Sequence, residues 1–90
     1  MELQTIRKNL DRLDKEMLAI LAERMNLIPK VAEYKRQNNL PRYQPDREQV
    51  VLESKRKLAI EMLLNPDMVE DIYKRIIQDA HRIEEDIMGE

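Results

Sequence analysis

Residues 3 to 34 carry an apolar stripe too long for a chain of 90 residues to bury against itself. Leu3, Ile6, Leu10, Leu13, Met17, Ile20, Arg24, Leu27, Val31 and Tyr34 follow in alternating steps of three and four. That is the spacing of one face of an α-helix, interrupted only by Arg24. The stripe predicts a helix over about residues 2 to 37, which at ~1.5 Å per residue is ~54 Å long. A compact chain of this length has a radius of gyration of only ~12 Å. The overhanging half therefore needs a second chain, most simply in a two-fold dimer of paired long helices.

Composition points the same way. A chain this short buries too little surface to be generously stable alone, and with no Cys, Trp or Phe it lacks disulfides, thiolate metal sites and bulky anchors. The 16 basic and 18 acidic residues nearly cancel and are interspersed along the whole length, so bulk nucleic-acid or membrane binding is not expected. The start of the chain lacks the features of a secretory leader, and no apolar run approaches membrane-spanning length. A soluble cytoplasmic protein is expected.

Proline divides the rest. Pro29 removes one hydrogen bond inside the long helix, so a kink with continuation is expected there. Residues 38 to 45 (NNLPRYQP) read as a loop, and Pro45 suits the first position of a second helix over about residues 45 to 62. Asn65 can cap, and Pro66 open, a third over about residues 66 to 88. Val69, Ile72, Ile76, Ala80, Ile83 and Ile87 form its stripe. The expected fold is all-α: a single domain of three helices, one long and N-terminal and two shorter, in an intertwined helical homodimer.

Several charges sit where such helices should be apolar. Arg24 and Lys35 lie only ~20° apart around the long helix, with Val31 between them on the same face. Each alone could snorkel to solvent or pair with a carboxylate on a neighbouring helix. Arg7 lies ~25 Å from Arg24 along the axis; it reaches the same small site only from the other chain of an antiparallel pair, and by itself reads as a surface residue. Asp46 and Glu48 suit the start of the second helix, whereas Arg47 does not. Glu84 shares a flank of the third helix with Ile77, Ala80 and Met88, where a glutamate would ordinarily lean into water. His81, between Gln78 and Arg82, reads as an exposed helix position.

The segments IRKNLDRLDKEMLAILAER (6 to 24), VAEYK (31 to 35), LPRYQPDRE (40 to 48) and IIQD (76 to 79) resemble, in order and spacing, the AroQ class of chorismate mutases. The resemblance covers essentially the whole chain, and its specific part is the set Arg, AER, Lys and DRE at fixed intervals. It implies conversion of chorismate to prephenate within phenylalanine and tyrosine biosynthesis, without cofactor or metal. By motif position, Arg24, Lys35 and Arg47 come from one chain and Arg7 from the other, meeting the two substrate carboxylates. Lys35 faces the ether oxygen of the breaking bond, Glu48 accepts from the ring hydroxyl, and Val31 and Ile77 are apolar walls.

Three positions depart from the usual pattern. Gln44 stands where an Asp often holds the ring hydroxyl. Glu84 stands where a Gln often donates to the ether oxygen, and only its protonated form has a donor; the resemblance to family members with Glu at this position implies activity favoured at acidic pH. Ala80 replaces a small polar residue. Lys35, Arg47, Glu84 and Arg24 are thus the candidate catalytic set. The alternatives are an enzyme like isochorismate pyruvate lyase, which shares fold and cationic site, and a non-catalytic helical dimerisation or regulatory module.

Overall fold

A computed structural model describes residues 2 to 89. Four helical segments follow in order: α1 (Leu3–Asn26), α2 (Ile28–Gln37), α3 (Pro45–Glu61) and α4 (Pro66–Met88). The first two are the halves of the long N-terminal helix, so the fold is all-α and in essence three helices. The break falls at Leu27, whose backbone remains right-handed helical at φ −80°, ψ −21°. Its N–H donates three residues back to Arg24, while Pro29 has no N–H to offer the carbonyl four residues back. The ladder tightens for one turn and resumes at Lys30 and Val31, both of which donate to the Leu27 carbonyl. The molecule measures 55 × 23 × 15 Å, its long axis close to the ~52 Å expected of residues 3 to 37 as one nearly straight helix.

The later helices start and stop on local chemistry. The Asn65 side chain accepts hydrogen bonds from the N–H groups of Asp67 (2.9 Å) and Met68 (3.3 Å), satisfying two donors at the start of α4. Gly89 closes that helix in the left-handed region at φ 74°. The long helix ends on Asn39, also left-handed at φ 54°, and the Leu40 N–H returns to the Lys35 carbonyl at 2.9 Å. That reversal folds residues 40 to 44 back towards Lys35. The α3 to α4 turn uses the same device, with Leu64 N–H reaching the Ala59 carbonyl at 2.8 Å. Its left-handed residue is Leu63 at φ 60°, an unusual choice for a branched side chain.

Packing within the chain joins α3 to α4 and α2 to α4, with the end of α1 alongside. Ala32, Val51, Ala59 and Ala80 are its buried apolar residues, a thin core of small side chains. No residue of α1 is buried, and its stripe faces solvent throughout, Met17 being 64% and Ile20 68% exposed. No helix among the described residues is long and apolar enough to cross a membrane. On the outer faces, Arg36 hydrogen-bonds Glu33 and Arg82 hydrogen-bonds Asp79, pairs three residues apart that hold both carboxyls below their usual range.

Candidate active site

Where the end of α1, α2, the following loop, α3 and α4 converge, they enclose a cavity of about 390 Å³, within the range of small-ligand pockets. Arg24 comes from the last turn of α1, and Val31 and Lys35 from one face of α2. The loop supplies Arg42 and Gln44; the first turns of α3 supply Arg47, Glu48 and Val51; Ile77, Ala80, His81 and Glu84 form a face of α4, with Ile28 completing the wall. Every substrate-contacting candidate named from the sequence lines this cavity except Arg7. Arg7 is exposed on α1, ~25 Å along the helix from Arg24.

Lys35 is anchored at the cavity floor. Its Nζ donates to Glu84 Oε1 at 2.7 Å and to the Arg42 carbonyl at 2.7 Å, and the side chains of Lys35 and Glu84 are only 13% and 6% exposed. Pairing with a carboxylate on another helix thus occurs for Lys35, inside the cavity. Two of the three ammonium protons are committed and the third remains for a ligand. Glu84 does not lean into water; it is buried against Lys35 on the inward flank of α4.

Arg24 lies with its guanidinium carbon 5.7 Å from the centre of the Tyr73 ring, which Lys55 approaches at the same distance. Such stacking steadies an arginine without consuming its donors. Among the described residues neither Arg24 nor Arg47 enters an ion pair. Four cations and two carboxylates line the cavity, with His81 besides, a surplus of two positive charges against walls of Val31, Ile77 and Val51. This arrangement fits a small, partly apolar dianion.

Two side chains here escape the sequence reading. His81 is not an exposed helix residue: its ring is 19% exposed, with Nε2 2.8 Å from Glu48 Oε2 and Nδ1 2.6 Å from Arg42 Nη1. Its place four residues after Ile77 and three before Glu84 puts it on their face of the helix, a usable signal that its polar neighbours Gln78 and Arg82 obscured. Arg42 stands in a loop, where periodicity says nothing. Among the described residues no three His, Asp or Glu side chains are arranged to hold a metal ion.

Fold and cavity together define a small all-helical protein with a cation-rich pocket for an anionic ligand. The chain belongs to the chorismate mutase type II family, whose model matches residues 6–85. It is 38% identical over 85 residues to the T-protein of Enterobacter agglomerans, covering 94% of this chain and 23% of that protein. It is 30% identical over 89 residues to the chorismate mutase of Methanocaldococcus jannaschii, covering 99% and 90%. It is also 31% identical over 88 residues to the 4-amino-4-deoxychorismate mutase of Streptomyces venezuelae, covering 98% and 85%. The chain spans less than a quarter of the length of the T-proteins of Enterobacter agglomerans and Haemophilus influenzae.

Proposed function

We propose that the cavity binds chorismate and catalyses its rearrangement to prephenate, and that two copies of the chain pair through α1 to complete two such sites. The observation that carries this reading is the gathering of Arg24, Lys35 and Arg47 around one cavity with apolar walls. Arg24, Arg47 and Arg7 of the partner subunit bind the two substrate carboxylates, each guanidinium offering a planar fork of donors. Lys35 aims its free proton at the ether oxygen. Glu48 accepts from the ring hydroxyl, Gln44 supports it, and Val31, Ile77 and Ala80 press on the ring and the enolpyruvyl side chain.

The reaction is intramolecular. The ether C–O bond breaks as a new C–C bond forms in one cyclic shift of electrons, and no proton enters or leaves the substrate. The protein has two tasks: to hold a flexible molecule in its compact reactive shape, and to face fixed positive charge towards the oxygen that becomes more negative as its bond breaks. Lys35 is suited to the second, since the Arg42 carbonyl and Glu84 fix its direction beforehand.

The bare stripe of α1 supports the pairing. Leu3, Ile6, Leu10, Leu13, Met17 and Ile20 are each at least 40% exposed, more contiguous apolar surface than a soluble monomer ordinarily leaves to water. Antiparallel pairing of two long helices covers it and brings the start of one helix, with Arg7, beside the later part of the other. The setting is a soluble, cytoplasmic biosynthetic step with no nucleic-acid or membrane partner.

The test is loss of chorismate with identification of product, for the native protein, Lys35→Ala and Arg47→Ala at matched folding and dimer content. Prephenate formation that collapses in both variants supports the assignment. Pyruvate release in its place would favour the lyase, and no turnover by a folded native dimer at acidic and neutral pH would favour a binding module.

A further inference from the structure

We infer that Arg42 and His81 form a chain that orients Glu48 in the cavity, with His81 a positioning residue locked by Arg42 into the tautomer protonated at Nε2. A guanidinium has donors and no acceptor. Arg42 Nη1 lies 2.6 Å from His81 Nδ1, so Nδ1 receives that hydrogen bond and carries no proton. The imidazole proton therefore sits on Nε2, 2.8 Å from Glu48 Oε2, and donates to it. A doubly protonated ring would set one N–H against another and bring two cations together.

Glu85 Oε1 lies 3.6 Å from Arg42 Nη2, so a carboxylate on α4 holds the guanidinium against the ring. Glu84 Oε2, at 3.7 Å from His81 Nδ1, is beyond hydrogen-bond reach of that nitrogen, which leaves Arg42 as its partner. Tyr43 meets the imidazole edge-on, with ring centres 5.9 Å apart. The Arg42 carbonyl also receives the Lys35 ammonium. One loop residue thus sets the direction of Lys35 through its backbone and that of Glu48 through His81.

The consequence for Glu48 is that Oε2 is occupied and Oε1 is left to meet a ligand. A free carboxylate rotates and offers either oxygen; one tethered by His81 presents a single acceptor in a fixed place, pre-organised before binding. This role deepens the proposed reaction and rests on it for its kinetic consequence. The tautomer does not depend on that reaction.

His81 is the chain's one histidine, so its ring nitrogens can be read without ambiguity by long-range ¹H–¹⁵N correlation on labelled protein. At neutral pH the native protein is expected to show the Nε2–H tautomer, and Arg42→Met to lose that preference. An Nδ1–H tautomer or a doubly protonated ring in the native protein would overturn the inference, whatever the activity. Kinetically, His81→Leu keeps the bulk and removes the donor; it should raise KM roughly tenfold with kcat little changed, the cost of one hydrogen bond to a charged group. His81→Gln, whose amide N–H can stand in for Nε2–H, should restore most of that loss. Equal kinetics for His81→Leu and the native enzyme, or for the Leu and Gln variants, would overturn the positioning role. Absence of turnover by the native protein would sink the proposed reaction and leave the tautomer to decide the chain.

Discussion

Lys35 and Glu84, 49 residues apart, meet through a 2.7 Å ion pair on the floor of the cavity. As an ionised acceptor, Glu84 helps hold Lys35, yet it also sets a negative charge beside an ether oxygen that gains negative charge during the proposed reaction. As a protonated carboxyl it becomes a donor to that oxygen. Glu84→Gln, a permanent donor that still accepts from Lys35, should therefore raise kcat/KM for chorismate at neutral pH. Kinetics equal to those of the native enzyme would remove Glu84 from the mechanism.

Arg47 can test the proposed catalysis apart from stability. It is exposed at the start of α3 and pairs with no carboxylate among the described residues, so Arg47→Ala should shift unfolding stability by no more than ~0.5 kcal/mol. If it binds a substrate carboxylate in the transition state, kcat/KM should fall by ~10²–10³. Lys35→Ala differs, because it strands the Glu84 carboxylate without its buried partner and should cost about 3 kcal/mol as well as activity. Denaturant midpoints measured beside kinetics distinguish the two. An Arg47→Ala enzyme with native kcat/KM would take that residue out of the site.

How much of this was legible in the sequence follows from how local each signal is. The stripe from Leu3 to Tyr34 needs only the helical period, and Asn65-Pro66 opens α4 through contacts two and three residues away. The gathering of Arg24, Lys35 and Arg47 could be anticipated because a helix fixes relative angles and because the motif spacing resembles a known family. The face of α4 that His81 shares with Ile77 and Glu84 was legible, but its contact with Arg42 was not, since it spans 39 residues and one partner stands in a loop. The burial of Glu84 depends on how α2 lies against α4, which helical periodicity does not specify.

Leu63 exposes a local conflict in the α3 to α4 turn. It holds a left-handed backbone at φ 60° with its side chain 94% exposed, so the conformation costs about 1 kcal/mol with no packing to offset it. Leu63→Gly removes the strain but adds freedom to the unfolded chain. The net should be a gain of ~0.5 kcal/mol in stability, read as a higher denaturant midpoint with unchanged activity. A loss would mean that Leu63 is covered in the assembled protein.

The proposed pairing of two chains has a sharp consequence for Arg7. If each site takes Arg24, Lys35 and Arg47 from one subunit and Arg7 from the other, Arg7→Ala and Lys35→Ala homodimers are both inactive, for defects in different subunits of each site. Mixing them after partial unfolding lets the subunits exchange. In a heterodimer one site then carries both defects and the other carries neither, since its Lys35 comes from the first chain and its Arg7 from the second. Random exchange makes half of the dimers mixed, each with one intact site, so activity should recover to about a quarter of native. A site built wholly within one chain would recover nothing. Leu13→Asp, which places a charge in the exposed stripe of α1, should abolish both the dimer and the recovery, and the native melting temperature should rise with protein concentration. Recovery that persists in a monomeric protein would break the link between pairing and site assembly.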